Sequence, residues 1–300
     1  MPPVAFALAL AAIVLWSTLA ALSVRLQPLQ PFLLAGIGLG IGGLLSARHW
    51  RAWQLPMRER LIGLGGILGY HVLYFQALRQ REAVVEANLL NYLWPLLIVL
   101  LAPLVLVGHR LEARHWLAAG AGFAGTALIV VGEGVHPSAG HLVSWICALG
   151  AAVVWALYSL LSKRLAIPTA AVGGLCVVSG AASLGISRLV EGPIGPRLAE
   201  LDVVGWVCLA AIALGPLGAA FFAWDAALKR GDARLIGVLA YLTPLLSTLL
   251  LMAIGRPFHL TTVLALVLIV GGALLGTWGT WRKPVTGRIT RSTTARTKRR

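Results

Sequence analysis

Ten long apolar runs, separated by short stretches of charge and turn residues, dictate the solvent this chain folds in. The hydrocarbon core of a bilayer is about 30 Å thick and a helix rises about 1.5 Å per residue, so a spanning helix needs roughly 20 mostly apolar residues. The runs fall near residues 4–24, 30–47, 61–78, 83–107, 115–132, 142–162, 169–187, 204–227, 233–254 and 260–280. With 59% hydrophobic and 12% charged residues, a water-soluble domain of 300 residues would have nowhere to hide its apolar surface. The runs are continuous rather than short and alternating, which excludes a β-barrel. The predicted fold class is therefore an all-α integral membrane protein with ten transmembrane helices. The first run has no basic segment before it and leads into further apolar sequence, so it reads as a permanent span rather than a cleaved leader.

Charge orients the spans. Lys and Arg accumulate on the cytoplasmic side of membrane proteins. With the N-terminus inside, 19 of the 25 Lys and Arg fall on the inner side, and without the C-terminal tail the ratio is still 11 to 6. Both termini are predicted to be cytoplasmic. The tail, 282–300, has eight basic and no acidic residues and reads as a disordered, solvated segment that can touch anionic headgroups. Most of the net charge of +15 is this asymmetry plus the tail, so no nucleic-acid partner is implied. Cys147, Cys176 and Cys208 lie far apart inside apolar runs and suggest neither a disulfide framework nor a metal site. No cofactor is implied.

The two halves repeat each other. Residues 12–26 read AIVLWSTLAALSVRL and residues 151–165 read AAVVWALYSLLSKRL, which puts Trp16 on Trp155, Ser23 on Ser162 and Arg25 on Arg164. Residues 92–97 read YLWPLL and residues 241–246 read YLTPLL. Span 1 thus matches span 6, and span 4 matches span 9. Each unit has five spans, and an odd number makes the second copy enter the membrane from the opposite face. The expected organisation is a first repeat over 1–134, an inverted second repeat over 141–281, and a central cavity between them. Secondary transporters of this kind hold substrate near the midplane, where the repeats meet.

Several polar and aromatic residues lie where lipid could not satisfy them. Tyr70, His71 and Tyr74 share one face of span 3, and Asn88, Asn91 and Trp94 form a stripe on span 4 beside Tyr92. Trp16 and Trp155 sit mid-span rather than in the interfacial belt, and Tyr158 and Ser162 extend the face of Trp155. These residues, with Tyr241 on span 9, are the candidate substrate-binding set; helix packing is the competing reading for each. Pro95 and Pro244 cannot donate to the carbonyls of Asn91 and Ala240, so both spans should kink, and either kink can serve as a hinge. Glu86, Glu133 and Asp225 are the acidic residues near span ends, and Asp225 has Lys229 four residues on as an ion-pair partner. Gly36/Gly40, Gly38/Gly42, Ala121/Gly125 and Gly272/Gly276 read as close-packing positions.

The ten spans in two units, the Trp-bearing spans 1 and 6, the Tyr-Leu-x-Pro-Leu-Leu of spans 4 and 9, and the short Gly-rich spans 5 and 10 together resemble the drug/metabolite transporter superfamily, in its ten-helix EamA type. Tyr70, His71 and Tyr74 with Asn91, Tyr92 and Trp94 are similar to the YddG-type aromatic amino acid exporters of bacteria. The resemblance covers residues 1–280. It implies a carrier of the bacterial inner membrane with a cavity lined by spans 1–4 and 6–9, spans 5 and 10 as scaffold, and export of amino acids or related metabolites. Span 1 contains no acidic residue, which argues against cationic drug–proton exchange and for a neutral or zwitterionic solute. The partners expected are that small molecule and the lipid bilayer, and a monomer is compatible with the sequence. A carrier of sugars or nucleotide derivatives is the competing function. An intramembrane enzyme is a distant one, because His71 has no acidic partner nearby in sequence and neither H-E-x-x-H nor G-x-S-x-G occurs. Reporter fusions at the two chain ends should both read as cytoplasmic, and ends on opposite faces would refute an even number of spans.

Overall fold

The computed structural model describes residues 1–79, 84–108, 110–131, 141–253 and 260–277, and every described regular element is helical. Helices α1 (Pro3–Ser23), α2 (Pro31–Gly43), α3 (Met57–Leu78), α4 (Val84–Asn91), α5 (Trp94–Val105) and α6 (Ala113–Val131) make the first half. The second half has α7 (Leu142–Arg164), α8 (Ala171–Val190), α9 (Ile194–Ala199), α10 (Val203–Leu214), α11 (Ala220–Arg230), α12 (Ala233–Leu239), α13 (Leu242–Ala253) and α14 (Leu260–Thr277). Local chemistry sets several boundaries. Pro opens α1, α2 and α5 in the first helical turn, where its missing N–H costs nothing. Asp202 and Asp232 cap α10 and α12 by accepting from Gly205 N and Arg234 N at 2.7 and 2.9 Å.

A helix or a pair of helices stands where each of the ten spans is expected. Eight of these are long and apolar enough to cross a bilayer. The other two, α6 and α14, are 19 and 18 residues long and pack on each other. Two details were not legible beforehand. Span 2 continues past Gly43 as a 3-10 segment over Leu44–Trp53, and the Glu191–Asp202 break holds the short α9. The outward faces carry Leu61, Leu117, Ile146, Val178, Val207 and Val267, all exposed as a lipid-facing surface requires. The protein is a multi-pass membrane protein. Glu133 and the tail 282–300 lie outside the described residues, as does the side chain of Glu86.

Helices that the repeat pairs run antiparallel. Gly36 of α2 faces Leu184 of α8, and Gly43 faces Gly173. Glu191, just past α8, accepts from the Phe32 and Leu33 N–H groups at the start of α2 at 2.8 and 3.0 Å. At the other end Ser46 donates to the Ala170 carbonyl at 2.8 Å. Likewise Gly125 of α6 faces Ala265 and Ile269 of α14, and Gly272 faces Ala118 and Ala121. Contacts between the halves also come in matched sets: α3 packs on α7 as α11 packs on α1, and α4 and α5 pack on α7 as α12 and α13 pack on α1. An arrangement that survives exchange of the two halves is what a two-fold relation produces.

The small residues make this possible, because they bring backbones close where no hydrophobic effect drives helices together. A Cβ on Gly180 would stand 2.5 Å from the Gly40 amide nitrogen and 2.8 Å from the Gly36 carbonyl oxygen. A Cβ on Gly40 would meet nothing within 4 Å. Gly180→Val is therefore expected to force α2 and α8 apart and cost about 1–3 kcal/mol. Gly40→Ala should be neutral. Thermal melting of the detergent-solubilised protein distinguishes the two.

Candidate substrate site

The centre of the molecule is a cluster of aromatic rings drawn from five spans. Trp16 of α1 is its hub, with ring centroids 6.3 Å from Trp94, 6.0 Å from Trp155, 6.2 Å from Phe221 and 5.2 Å from Trp224. Most of these contacts are edge-to-face, the geometry that sets a ring's positive edge on a neighbour's negative face. Trp155, only 4% exposed, also meets Tyr70, Tyr158 and Phe221. The expected cavity position is thus occupied, in this conformation, by side chains in contact with one another.

Two of the four indoles in the cluster donate to partners across the bundle. Trp16 Nε1 donates to the Pro216 carbonyl at 3.1 Å, and Trp224 Nε1 donates to Ser159 Oγ at 3.2 Å. Pro216 lies in a π-helical turn, Gly215–Ala219, that interrupts span 8 between α10 and α11. A Pro in the ladder and two glycines nearby account for this turn, and π turns tend to mark functional positions.

The polar edge of the cluster lies between α3 and α4. Tyr70 and Tyr74 are stacked, with centroids 5.7 Å apart and planes at 18°. Tyr74 Oη donates to Asn88 Oδ1. Asn91 Nδ2 donates to Tyr70 Oη at 3.4 Å, a long bond, while Asn91 Oδ1 is buried with no hydrogen-bond partner. A buried acceptor left unmade costs about 1–3 kcal/mol unless a donor reaches it. His71 points elsewhere. Its Nδ1 lies 2.7 Å from the Ile67 carbonyl, which can only accept, so Nδ1 carries the proton. The ring stacks on Phe221 and meets Phe75 edge-on, so the imidazole is engaged in packing and in its own helix.

Both prolines sit at breaks rather than gentle kinks. Span 4 is interrupted at Tyr92 and Leu93, and span 9 at Ala240 and Tyr241, each a residue or two before its proline's half-helix is under way. The broken spans meet each other, since a Cβ on Gly237 would stand 3.0 Å from the Pro95 carbonyl oxygen. The expectation that Pro244 strands the Ala240 carbonyl does not hold. A tighter turn lets Thr243 N donate to it at 3.0 Å.

Two candidates lie away from the ring cluster. Tyr241 is fully buried with its ring against Gly122, in a separate group with Leu245, Ala265 and Ile269. It packs on the α6–α14 side because the break turns it outward from the centre. Ser162 donates to Asp225 Oδ1 at 2.7 Å instead of facing the rings. Asp225 also accepts from Thr169 Oγ1 at 2.6 Å and from Lys229, the ion pair foreseen four residues on. Lys163 donates to the Leu228 carbonyl at 2.7 Å and to that of Gly231. Spans 6, 7 and 8 are thereby tied together at one end.

Sequence reasoning missed Trp224, Phe221, Phe75 and Pro216. The 149-residue offset that aligns 92–97 with 241–246 also places Phe75 on Trp224, and extending it along spans 3 and 8 would have marked both.

An all-helical bundle whose antiparallel halves meet at an aromatic centre is the arrangement of a membrane carrier. The chain matches the EamA-like transporter family twice, over residues 3–131 and 143–278, and it belongs to that family. It is 38% identical over 287 residues, 89% of this chain and 94% of the relative, to a protein of Ancylobacter novellus named aromatic amino acid exporter YddG. The Escherichia coli K12 protein of the same name is 25% identical over 89% of this chain and 94% of its own. A solved structure described only as that of a protein superposes with a TM-score of 0.85 at 37% identity, covering 94% of this chain and 99% of the other. The protein is thus a transporter that takes a small-molecule substrate through the membrane it is embedded in.

Removing Asp225 would leave two hydroxyls without their acceptor and the partly buried Lys229 ammonium without its counter-charge, held by the Ile167 carbonyl. Asp225→Ala is expected to destabilise the protein by about 2–4 kcal/mol, near the lower end for buried pairs because Lys229 keeps some solvent. The double variant with Lys229→Ala should recover part of this loss, a non-additivity that thermal melts of the four proteins would show.

Proposed function

We propose that this protein is a secondary carrier that exports aromatic or other neutral amphipathic amino acids, and related metabolites, across the bacterial plasma membrane by alternating access. The observation that carries the reading is the ring cluster of Trp16, Trp94, Trp155 and Tyr70 at the seam between the halves, bordered by the buried, unpaired Asn91 Oδ1. Flat apolar walls take a solute's own ring by stacking and edge contact. Asn91 Oδ1 offers an acceptor to a substrate donor such as an ammonium group. The identity to proteins named as aromatic amino acid exporters supports the same substrate class.

In this reading substrate replaces ring contacts that the protein makes with itself in this conformation. Tyr158, His71, Tyr74, Asn88 and Tyr92 support or flank the walls. Tyr241 and Ser162 act in packing and in the Asp225 network. The moving units are the two five-helix halves, 1–134 and 141–281, related by inversion, with flexion at the breaks beside Pro95 and Pro244. Both termini and the basic tail 282–300 face the cytoplasm. The antiparallel pairing of α2 with α8 and of α6 with α14 supports that division.

Counterflow of labelled phenylalanine, tryptophan and threonine in proteoliposomes tests the proposal. Uptake above protein-free vesicles is expected for at least the aromatic two, and none for any would remove the amino acid claim. Trp155→Ala should cut flux several-fold with protein level unchanged, and Trp155→Phe should keep most of it.

A further inference from the structure

A chain of ring contacts leads from the centre to a small cavity beside the span ends on the face opposite the Asp225 network. Trp155 meets Phe221 at 5.5 Å, Phe221 stacks on His71 at 6.2 Å, His71 meets Phe75 at 5.5 Å, and Phe75 meets Phe32 at 5.2 Å. Phe32 and Phe75 form the floor of a cavity of about 80 Å³ whose rim includes Gln30, Arg79 and Glu191. By the charge rule this is the outer face.

The charges at that rim are unequal in availability. Both Glu191 carboxylate oxygens are held by the Phe32 and Leu33 N–H groups at the start of α2. Arg197 donates to the Glu191 carbonyl, and with the Gln30 amide turned to satisfy both its ends, Gln30 accepts from Arg197 at 2.9 Å. Arg79, at the end of α3, makes one long hydrogen bond of 3.4 Å to Gln76 and forms no ion pair among the described residues. Among the described residues, the cavity thus presents the Arg79 guanidinium with no carboxylate partner, beside two phenyl rings. An apolar cavity of about 150 Å³ holds a benzene ring. A space of about 80 Å³ suits a carboxylate and its α-carbon, not an aromatic side chain.

We infer that this cavity is an outer-face subsite for the α-carboxylate of the transported amino acid, with Arg79 as the residue that recognises it, an assignment that rests on the amino acid reading above. The solute's ring then lies toward Phe75 and the centre while its carboxylate pairs with Arg79 at the mouth. A planar guanidinium takes a carboxylate through two parallel N–H donors, which a Lys does less well.

Exchange in right-side-out membrane vesicles loaded with unlabelled phenylalanine tests this, with labelled phenylalanine supplied outside and 2-phenylethylamine, which lacks the carboxylate, as competitor. Arg79→Gln is expected to raise the external half-saturating concentration of phenylalanine roughly tenfold, the loss of one charge-assisted contact. Competition by 2-phenylethylamine should not move, and Arg79→Lys should fall between the two. Unchanged half-saturation in Arg79→Gln, or an equal loss for both solutes, would overturn the subsite while leaving the carrier reading standing. Wild-type vesicles that exchange no amino acid would overturn both.

Discussion

Hydrocarbon gives a peptide group nothing to bond to, and that single deprivation arranges the rest of this protein. Every span must close its own backbone ladder, so the elements are helices. Polar side chains must turn inward, so the hydroxyls, amides and the buried carboxylate collect between helices rather than on the rim. The lipid-facing surface can then be plain Leu, Val and Ile, as at Leu61, Val178 and Val267. What distinguishes one membrane protein from another is consequently written on the inside.

Association inside the bilayer has no hydrophobic drive, so close packing has to supply it. The glycines of α2, α8, α6 and α14 do so at two of the places where a helix meets its own counterpart. Those pairs act as seams. Away from them the contact surfaces carry large rings and small polar groups, which can separate and reform with less loss than a backbone-to-backbone fit.

Departures from regular helix concentrate on the spans that surround the rings. Spans 4 and 9 are broken, and span 8 passes through a π turn that sets the Pro216 carbonyl where the Trp16 indole can reach it. Breaks at membrane depth are tolerated only against protein or water. Here they are covered by one another, through Gly237 against Pro95. The Asp225 network ties the ends of spans 6, 7 and 8, whereas the opposite face has a small cavity beside Arg79, which has no ion-pair partner among the described residues. The two faces of a duplicated protein are thus chemically unlike.

The sequence by itself determined the class, the spans and the duplication. These depend on period, length and repeated words such as 92–97 and 241–246, which are one-dimensional properties. It also named Trp16, Trp155, Tyr70, Tyr74, Asn88 and Asn91 as inward-facing candidates, because aromatic and amide groups in mid-membrane are poorly satisfied by lipid. Tyr241 and Ser162, placed on candidate faces by their spacing, lie away from the ring cluster. A broken helix changes the direction of every residue after the break, and a buried carboxylate claims any hydroxyl within reach. Only the tertiary structure decided that Trp224 and Phe221 complete the cluster, that the rings at the centre close on one another, and that Asp225 binds two hydroxyls besides its lysine. Those facts depend on which helices touch and at what rotation, and periodicity along a single helix carries no information about its neighbour.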